Sequence, residues 1–168
     1  MKKVYDDEKL KLYMDASCID FCCERAGNPK SVDFPCKKIP KSIEKLAQAK
    51  SGSGHDCFLK GIVVYIDWKI NKIIREQLLR YSFINVISSQ SLMHCFEDFK
   101  SHGKIAQDVE SVDEIPLSFE YGISFQTNYL QLKTIYKQRK THKRKEWQNF
   151  CKAIENLPQS HFITGEKK

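Results

Sequence analysis

The residues best suited to binding chemistry lie between Arg80 and Ser91 of this 168-residue chain. Arg80 is followed, after a short apolar stretch, by the hydroxyl- and amide-rich run Ser88-Ser89-Gln90-Ser91. A guanidinium group binds phosphate oxygens in a bidentate manner, while short hydroxyls and a side-chain amide suit a ribose or the edge of a base. Such residue types suit one wall of a pocket for an anionic ligand. Alternatively, Arg80 interacts with the dipole of a helix, and the serine hydroxyls only satisfy hydrogen bonds within the loop.

A basic segment is expected to supply the opposing charge. Lys and Arg number 28 and Asp and Glu 21, which gives a net charge of +7. Residues 133–145 hold seven basic residues and no acidic one, so this segment accounts for the whole excess: Lys133, Lys137, Arg139, Lys140, Lys143, Arg144 and Lys145. A localised patch favours an anionic partner, and we expect Arg139 or a nearby lysine to face Arg80 across the pocket. A solvated helix face is the alternative.

The cysteines do not predict a metal site. The seven cysteines form no C-x-x-C pair: Cys18, Cys22, Cys23, Cys36, Cys57, Cys95 and Cys151. We expect reduced thiols, mostly in the core, with Cys18 and Cys22 on one buried helix face. Phosphate-loop, dinucleotide-binding and zinc-protease signatures are also absent.

The elements that must position these residues alternate between helix and strand patterns. The spacing predicts a helix through Leu10, Tyr13, Met14, Cys18 and Cys22, a loop over 28–40, and a helix from Pro40. The clearest strand is 61–66, followed by a helix from Ile70 to about Arg80 and a strand from Phe83 that runs into a loop. A surface excursion over 103–116 precedes helices from about Thr127 and from about Lys145. The pattern predicts an α+β fold with helices around one sheet, in a single domain over residues 1–168.

The order of elements around residues 54–94 resembles the flavin-dependent thymidylate synthases, the ThyX family. Gly54-His55-Asp56-Cys57 stands where that family has Gly-His-x-Ser. Arg80-Tyr81-Ser82, eight residues and Ser91 stand where it has Arg-His-Arg, seven or eight residues and Ser. Ala16-Ser17-Cys18 and a C-terminal helix with Leu130, Leu132 and Arg139 are also similar. A slipped register would make Ser88 the loop serine instead.

The sequence departs from the family at positions that hold its ligands. Tyr81 and Ser82 replace the His and Arg of the flavin-holding triplet, and Met93 replaces a phosphate-binding Arg. Lys60 and Gly61 replace a Glu-His pair. At about 1.5–3 kcal/mol for each charge-assisted hydrogen bond, these losses weaken flavin and phosphate binding by orders of magnitude.

The resemblance implies one mixed or antiparallel sheet flanked by helices, with long C-terminal helices, as in a compact phage- or prophage-type ThyX. It implies a protein that binds or sequesters a nucleotide, or a nucleotide-derived signal, without flavin chemistry. The expected ligand-binding residues are Arg80, Ser88, Ser89, Gln90, Ser91, Arg139, His55 and Tyr81. One alternative is an active synthase that uses FAD to convert dUMP to dTMP. The other is a basic nucleic-acid-binding protein, which is less favoured because the basic segment lacks interleaved exposed aromatics.

The resemblance also implies a homotetramer, with Tyr65, Trp68, Tyr121 and Tyr129 as candidate interface residues. The longest apolar run, 61–66, is too short to cross a bilayer, and no apolar segment follows the basic start of the chain. We therefore expect a cytoplasmic protein that does not act at a membrane.

Overall fold

A five-stranded sheet organises the part of the chain that the computed structural model describes, residues 1–26 and 39–166. Its strands are β1 (Lys2–Asp6), β2 (Leu10–Met14), β3 (Val63–Asn71), β4 (Asn85–Ser89) and β5 (Glu120–Asn128). They lie in the order β1-β2-β3-β5-β4, and every neighbouring pair is antiparallel. The structure confirms the predicted α+β class and shows that the sheet is antiparallel.

Short helices connect and cover these strands. They are α1 (Ser17–Ala26), α2 (Ile43–Ala47), α3 (Lys72–Leu78), α4 (Phe96–Ser101), α5 (Tyr129–Arg139), α6 (Lys145–Ile154) and α7 (His161–Thr164). Two 3₁₀ turns lie at Cys57–Lys60 and Val112–Glu114. In the described ranges, none of these helices combines the length and apolar character needed to span a bilayer.

The two faces of the sheet differ in burial. Along β3, Val64, Ile66 and Trp68 are buried, while the alternate residues Tyr65 and Asp67 are exposed, as the two-residue period of a strand requires. The buried face packs against the main core, to which α1, α3, α5 and α6 contribute. A second, smaller core of Phe96, Phe99, Ile105 and Ile115 lies outside it. We refer to the two sides of the sheet as the packed face and the open face.

Aromatic side chains fill the packed face, which corrects part of the predicted interface. Trp68 stacks on Phe150 with ring centroids 4.6 Å apart and meets Trp147 edge-on at 5.4 Å. The hydroxyl of Tyr129 donates to the carbonyl of Pro158. Trp68 and Tyr129 are therefore core residues within one chain, and Tyr121 is also buried. Of the four, Tyr65 alone is exposed.

At two places a strand leads directly into a helix, and an asparagine caps the start of that helix. Asn71 ends β3, and its side-chain oxygen accepts a hydrogen bond from the Ile74 amide at 3.0 Å. Asn128 ends β5 and caps α5 in the same way at the Gln131 amide, at 2.9 Å. Each cap satisfies an N–H that a helix start leaves unpaired, so it fixes where the helix begins.

Several boundaries differ from the sequence prediction. The predicted first helix is wrong over Leu10–Met14, which is a strand, because Leu10, Leu12 and Met14 are all buried with a period of two. The predicted strand at 61–66 continues to Asn71, so Ile70 lies in the strand and not in the helix. The sequence pattern also missed β1, β5 and α4. The predicted loop over residues 28–40 falls largely outside the described residues, as does Cys36.

Candidate functional site

A cavity of about 450 Å³ lies on the open face of the sheet. Strands β2, β3, β4 and β5 and the turn between β1 and β2 form its walls, and a lysine from the segment after α4 adds to them. Its lining residues are Glu8, Lys9, Lys11, Asp67, Trp68, Lys69, Ser88, Ser89, Gln90, Lys104, Gly122, Ile123 and Ser124. Three of the predicted site residues, Ser88, Ser89 and Gln90, are therefore together in one cavity.

The charges of this open-face cavity favour an anion. Four lysines line it against two carboxylates, those of Glu8 and Asp67. Asp67 accepts a hydrogen bond from the Ser124 hydroxyl at 2.6 Å. Lys9 contacts both carboxylate oxygens of Glu120 at 2.7 Å, and this hydrogen bond raises the pKa of Lys9. Lys11 lies 3.8 Å from the Asp6 carboxylate, and together with Lys69 and Lys104 it gives the cavity its positive character.

Backbone pairing holds Gln90 at the edge of this cavity. Its amide N–H donates to the Gly122 carbonyl at 2.9 Å, and its side-chain oxygen accepts from the Gly122 N–H at 2.8 Å. A Cβ on Gly122 would lie 3.5 Å from Gln90 Oε1, which is an ordinary van der Waals contact, so this pairing does not itself require a glycine. The first bond fixes the backbone of Gln90 and the second fixes its side chain at the edge of the cavity.

A β-bulge brings Ser88 onto the open face, whereas Ser89 pairs with Ile123, whose side chain is buried on the packed face. The register between β4 and β5 shifts between Val86 and Ser88, after which Ser88 pairs with Ser124. Ser124 lies on the open face beside Asp67, so Ser88 also faces the open side. Ser89 and Gln90 in addition line a neighbouring cavity of about 420 Å³ that contains Arg75 and Lys72.

The other predicted residues lie elsewhere in the chain. Arg80 is exposed in the turn after α3 and does not line the open-face cavity. The Ser91 hydroxyl accepts from the His94 amide at 3.3 Å and so belongs to a local turn. His55 is exposed, whereas its neighbour Asp56 is buried. A single chain does not bring Arg80 and His55 to the serines.

Arg139 and Tyr81 form a unit on the packed side. Arg139 Nε donates to the Tyr81 hydroxyl at 2.8 Å, and that hydroxyl donates to Gln138 at 3.0 Å. The guanidinium also lies 4.8 Å from the ring centre of Trp147, a favourable cation–π distance. Because Trp147 packs against Trp68 on the packed face, Arg139 and the serines lie on opposite sides of the sheet. Within one chain, Arg139 therefore does not face the serine wall as predicted.

The basic segment is not one continuous surface, since Lys133 is inside the protein. Its ammonium group contacts the carbonyls of Ala47 and Ala49 at 2.7 and 2.9 Å and the Asp56 carboxylate at 3.0 Å. The side chains of Lys133 and Asp56 are only 13% and 1% exposed. Sequence reasoning assigned no role to Asp56, because it precedes Lys133 by 77 residues and the folded chain alone brings them together.

Sequence reasoning also missed the cavity lysines, although one signal pointed to them. Lys9, Lys11, Lys69 and Lys104 are scattered in sequence, so no charge run marks them. Asp67 and Lys69, however, alternate with the buried Ile66, Trp68 and Ile70. That period places both polar side chains on the open face of the strand.

The cysteines are placed as small apolar residues. Cys22, Cys23 and Cys151 are buried in the main core, and burial raises the pKa of Cys23 to about 11 and that of Cys151 to about 12. Such thiols are not reactive nucleophiles near neutral pH. Within residues 1–26 and 39–166, no group of three His, Cys, Asp or Glu is arranged to hold a metal ion.

Comparison with known proteins shows the fold. Neither protein-family models nor curated protein sequences give a match to this chain. Among solved structures, thymidylate synthase X from Helicobacter pylori with FAD and dUMP matches with a TM-score of 0.56 and 16% identity, over 76% of this chain and 83% of that chain. A second structure of the flavin-dependent thymidylate synthase ThyX from that organism, complexed with FAD and dUMP, matches with a TM-score of 0.58 and 13% identity, over 92% and 97%. This chain therefore has the ThyX fold.

Proposed function

We propose that this protein binds a nucleotide or a nucleotide-derived signal and has lost flavin-dependent thymidylate synthesis. The observation that carries the proposal is the open-face cavity, in which Ser88, Ser89 and Gln90 lie among four lysines. The fold adds support, because the two H. pylori structures with this fold contain FAD and dUMP. A protein that binds the ligand but catalyses no reaction on it would serve to sequester that ligand.

The lining residues divide into two chemical groups. Lys11, Lys69 and Lys104 supply ammonium groups for a phosphate, which lysines bind as point charges. Ser88 and Gln90 supply a hydroxyl and a fixed amide that suit a ribose or a base edge.

The residues at the flavin-motif positions do not fit a flavin dinucleotide. The Tyr81 hydroxyl already contacts Arg139 and Gln138, and Ser82 and Met93 carry no charge for a pyrophosphate. Gly61 lies against α1, where even a Cβ would be 2.6 Å from Cys22 Sγ. The histidine that ThyX proteins carry at this position would therefore require the Cys22 side chain to shift.

Calorimetric titration with dUMP tests the nucleotide site. We expect the double variant Lys69→Gln, Lys104→Gln to bind dUMP about tenfold more weakly, since two exposed charges are lost. Lys45→Gln, Lys152→Gln is the matched control, because it removes the same charge at exposed positions outside the cavity. Equal affinity in the two double variants would contradict the assignment.

The loss of chemistry has its own test. We expect the purified protein to be colourless in the flavin absorbance band and to release a nucleotide on denaturation. Tight FAD binding together with tritium release from labelled dUMP would instead establish an active synthase. This outcome would leave the nucleotide site intact while overturning the loss of activity.

We further propose a homotetramer in which a neighbouring chain brings Arg80 to the nucleotide. Arg80 is exposed and lies away from the cavity of its own chain, so a second chain is needed for contact. Arg80→Ala should then weaken dUMP binding by about 1.5–3 kcal/mol, and Arg80→Lys should recover only part of the loss. Light scattering that gives the monomer mass of 19.6 kDa at micromolar concentration would contradict this assembly.

A further inference from the structure

A second cavity, of about 800 Å³, lies on the helical side of the molecule. It is formed by α5, α7 and residues 48–51, which follow α2. Its lining residues are Gln48, Ala49, Lys50, Ser51, Lys133, Thr134, Tyr136, Lys137, Gln138, Lys140, Ile163 and Thr164. This volume is in the range that small organic ligands occupy, about 300–1,000 Å³. We refer to it as the helical groove.

The charged side chains that line the helical groove in the described part of the chain are all lysines, so its charge is positive. Lys133, Lys137 and Lys140 are spaced by four and three residues, so they project from the same side of α5, and Lys50 lies on the opposite wall. Lys133 is satisfied by two carbonyls and Asp56. Lys140 pairs with Glu166 at 3.3 Å, but both side chains are largely exposed, at 46% and 67%, so this pair is weak. The described lining includes no acidic residue, which leaves Lys50, Lys137 and Lys140 available to an anion.

The rest of the lining combines polar side chains with an apolar part, and it is firmly held. Tyr136 and Ile163 are almost completely buried and contribute the apolar part of the surface with Ala49. The Gln48 amide donates to the carbonyls of His161 and Phe162 at 2.7 and 3.1 Å, which fixes the 48–51 wall to α7. Lys133 joins the same wall to α5 through Ala47 and Ala49. The groove is therefore preorganised, which lowers the entropic cost of binding.

We propose that the helical groove binds a small organic phosphate. The apolar body of the ligand would lie against Ala49, Tyr136 and Ile163, and its phosphate would contact Lys50, Lys137 and Lys140. The site is distinct from the open-face cavity, since α5 packs on the other side of the sheet. It does not depend on the nucleotide function proposed above.

Calorimetry with 1-naphthyl phosphate tests this proposal, with inorganic phosphate as the comparison probe. We expect 1-naphthyl phosphate to bind more tightly, because its aromatic body buries apolar surface in the groove. Lys137→Gln, Lys140→Gln should weaken its binding about tenfold. Lys143→Gln, Lys145→Gln removes the same charge from the same basic segment, but outside the groove, and should change affinity by less than about twofold.

Two further variants distinguish binding in the groove from binding elsewhere on the protein. Ser51→Trp adds bulk at an exposed lining position without a change of charge and should also weaken binding. Lys45→Gln, Lys152→Gln, at exposed positions that line neither cavity, should leave it unchanged. The proposal is overturned if the wild type does not bind 1-naphthyl phosphate or if Ser51→Trp binds it normally. Equal losses in the 137/140 and 143/145 double variants would also overturn it, since they would indicate diffuse attraction.

Discussion

The packed and open faces of the sheet use charged side chains differently. On the packed side, Lys133 contacts three acceptors and Arg139 contacts Tyr81 and Trp147. On the open side, Lys69 and Lys104 line a cavity and are exposed. A buried charge must find partners inside the protein, because its desolvation is costly. An exposed lysine retains water and can exchange it for a ligand.

This difference shows why a charge run in sequence does not locate a binding site. Residues 133–145 account for the whole net charge of +7, yet Lys133 and Arg139 are committed to internal contacts. The lysines of the open-face cavity come instead from three separate parts of the chain. If this comparison is correct, substitutions on the packed side should change stability, and substitutions on the open side should change binding.

The largest expected effect is at Lys133. Lys133→Met leaves the Asp56 carboxylate buried without its partner, so we expect a loss of about 3–5 kcal/mol in the free energy of unfolding. Urea denaturation measures it. Lys137→Met, one turn along α5 but exposed, is the matched control and should change stability by less than about 0.5 kcal/mol. Equal stability of the two variants would contradict an internal role for Lys133.

The second prediction concerns the Tyr81 hydroxyl. Tyr81→Phe removes the acceptor for Arg139 Nε and should cost about 1–2 kcal/mol of stability. Tyr65→Phe makes the same chemical change at an exposed position on the open face and should leave stability unchanged. Both variants should bind dUMP as the wild type does. A loss of dUMP affinity in Tyr81→Phe alone would show that Tyr81 acts in binding, against the assignment of a purely internal role.

Local patterns predicted the elements whose periodicity was unambiguous. The β-branched run at 61–66 is a strand, and the apolar spacing from Tyr129 to Tyr136 is a helix. Leu10–Met14 was predicted wrongly because Leu10, Tyr13 and Met14 also satisfy helical spacing in so short a segment. The resemblance to ThyX, which rests on the order of motifs, predicted the fold that the structural comparison shows.

The site was only partly accessible from sequence. Ser88, Ser89 and Gln90 are adjacent in the chain, so a local motif was enough to group them. Lys11 and Lys69 come from strands that pair only in the folded sheet, as Lys11 and Asp67 do across β2 and β3, and Lys9 and Lys104 come from connecting segments. The separation of Arg139 from the serines depends on which face of the sheet α5 covers. Local sequence spacing shows neither which strands pair nor which face of the sheet a helix covers.

The third prediction contrasts glutamines on the two sides. Gln90→Ala should weaken dUMP binding by about 0.5–1.5 kcal/mol, because it removes an amide from the cavity. It should change stability little, since water can replace its exposed bond to Gly122. Gln138→Ala is the mirror control, because Gln138 contacts Tyr81 and should leave dUMP binding unchanged. If both variants bind dUMP equally well, Gln90 has no part in recognition.

The smallest expected effect is a pH dependence at His142, within the basic segment. Burial and then the nearby charges of Arg139, Lys143 and Arg144 lower the pKa of His142 below its ordinary value of 6.5. Its Nδ1 also accepts a hydrogen bond from the Arg144 amide at 3.2 Å, which protonation of that nitrogen would remove. The unfolded chain therefore takes up this proton more readily than the folded protein does. The contribution of His142 to stability is complete above the unfolded pKa and is lost as the pH falls through the folded pKa.

Urea denaturation at several values between about pH 7 and pH 5 measures this contribution. We expect His142→Gln to lose less stability than the wild type over that range, because it cannot be protonated. His94→Gln, at an exposed histidine outside the basic segment, should keep the wild-type dependence. If His142→Gln and the wild type lose stability in parallel, the positive charges around residue 142 do not penalise protonation there. Residue 142 would then belong to the solvated surface of the basic segment. The internal contacts of that segment would not extend beyond Arg139.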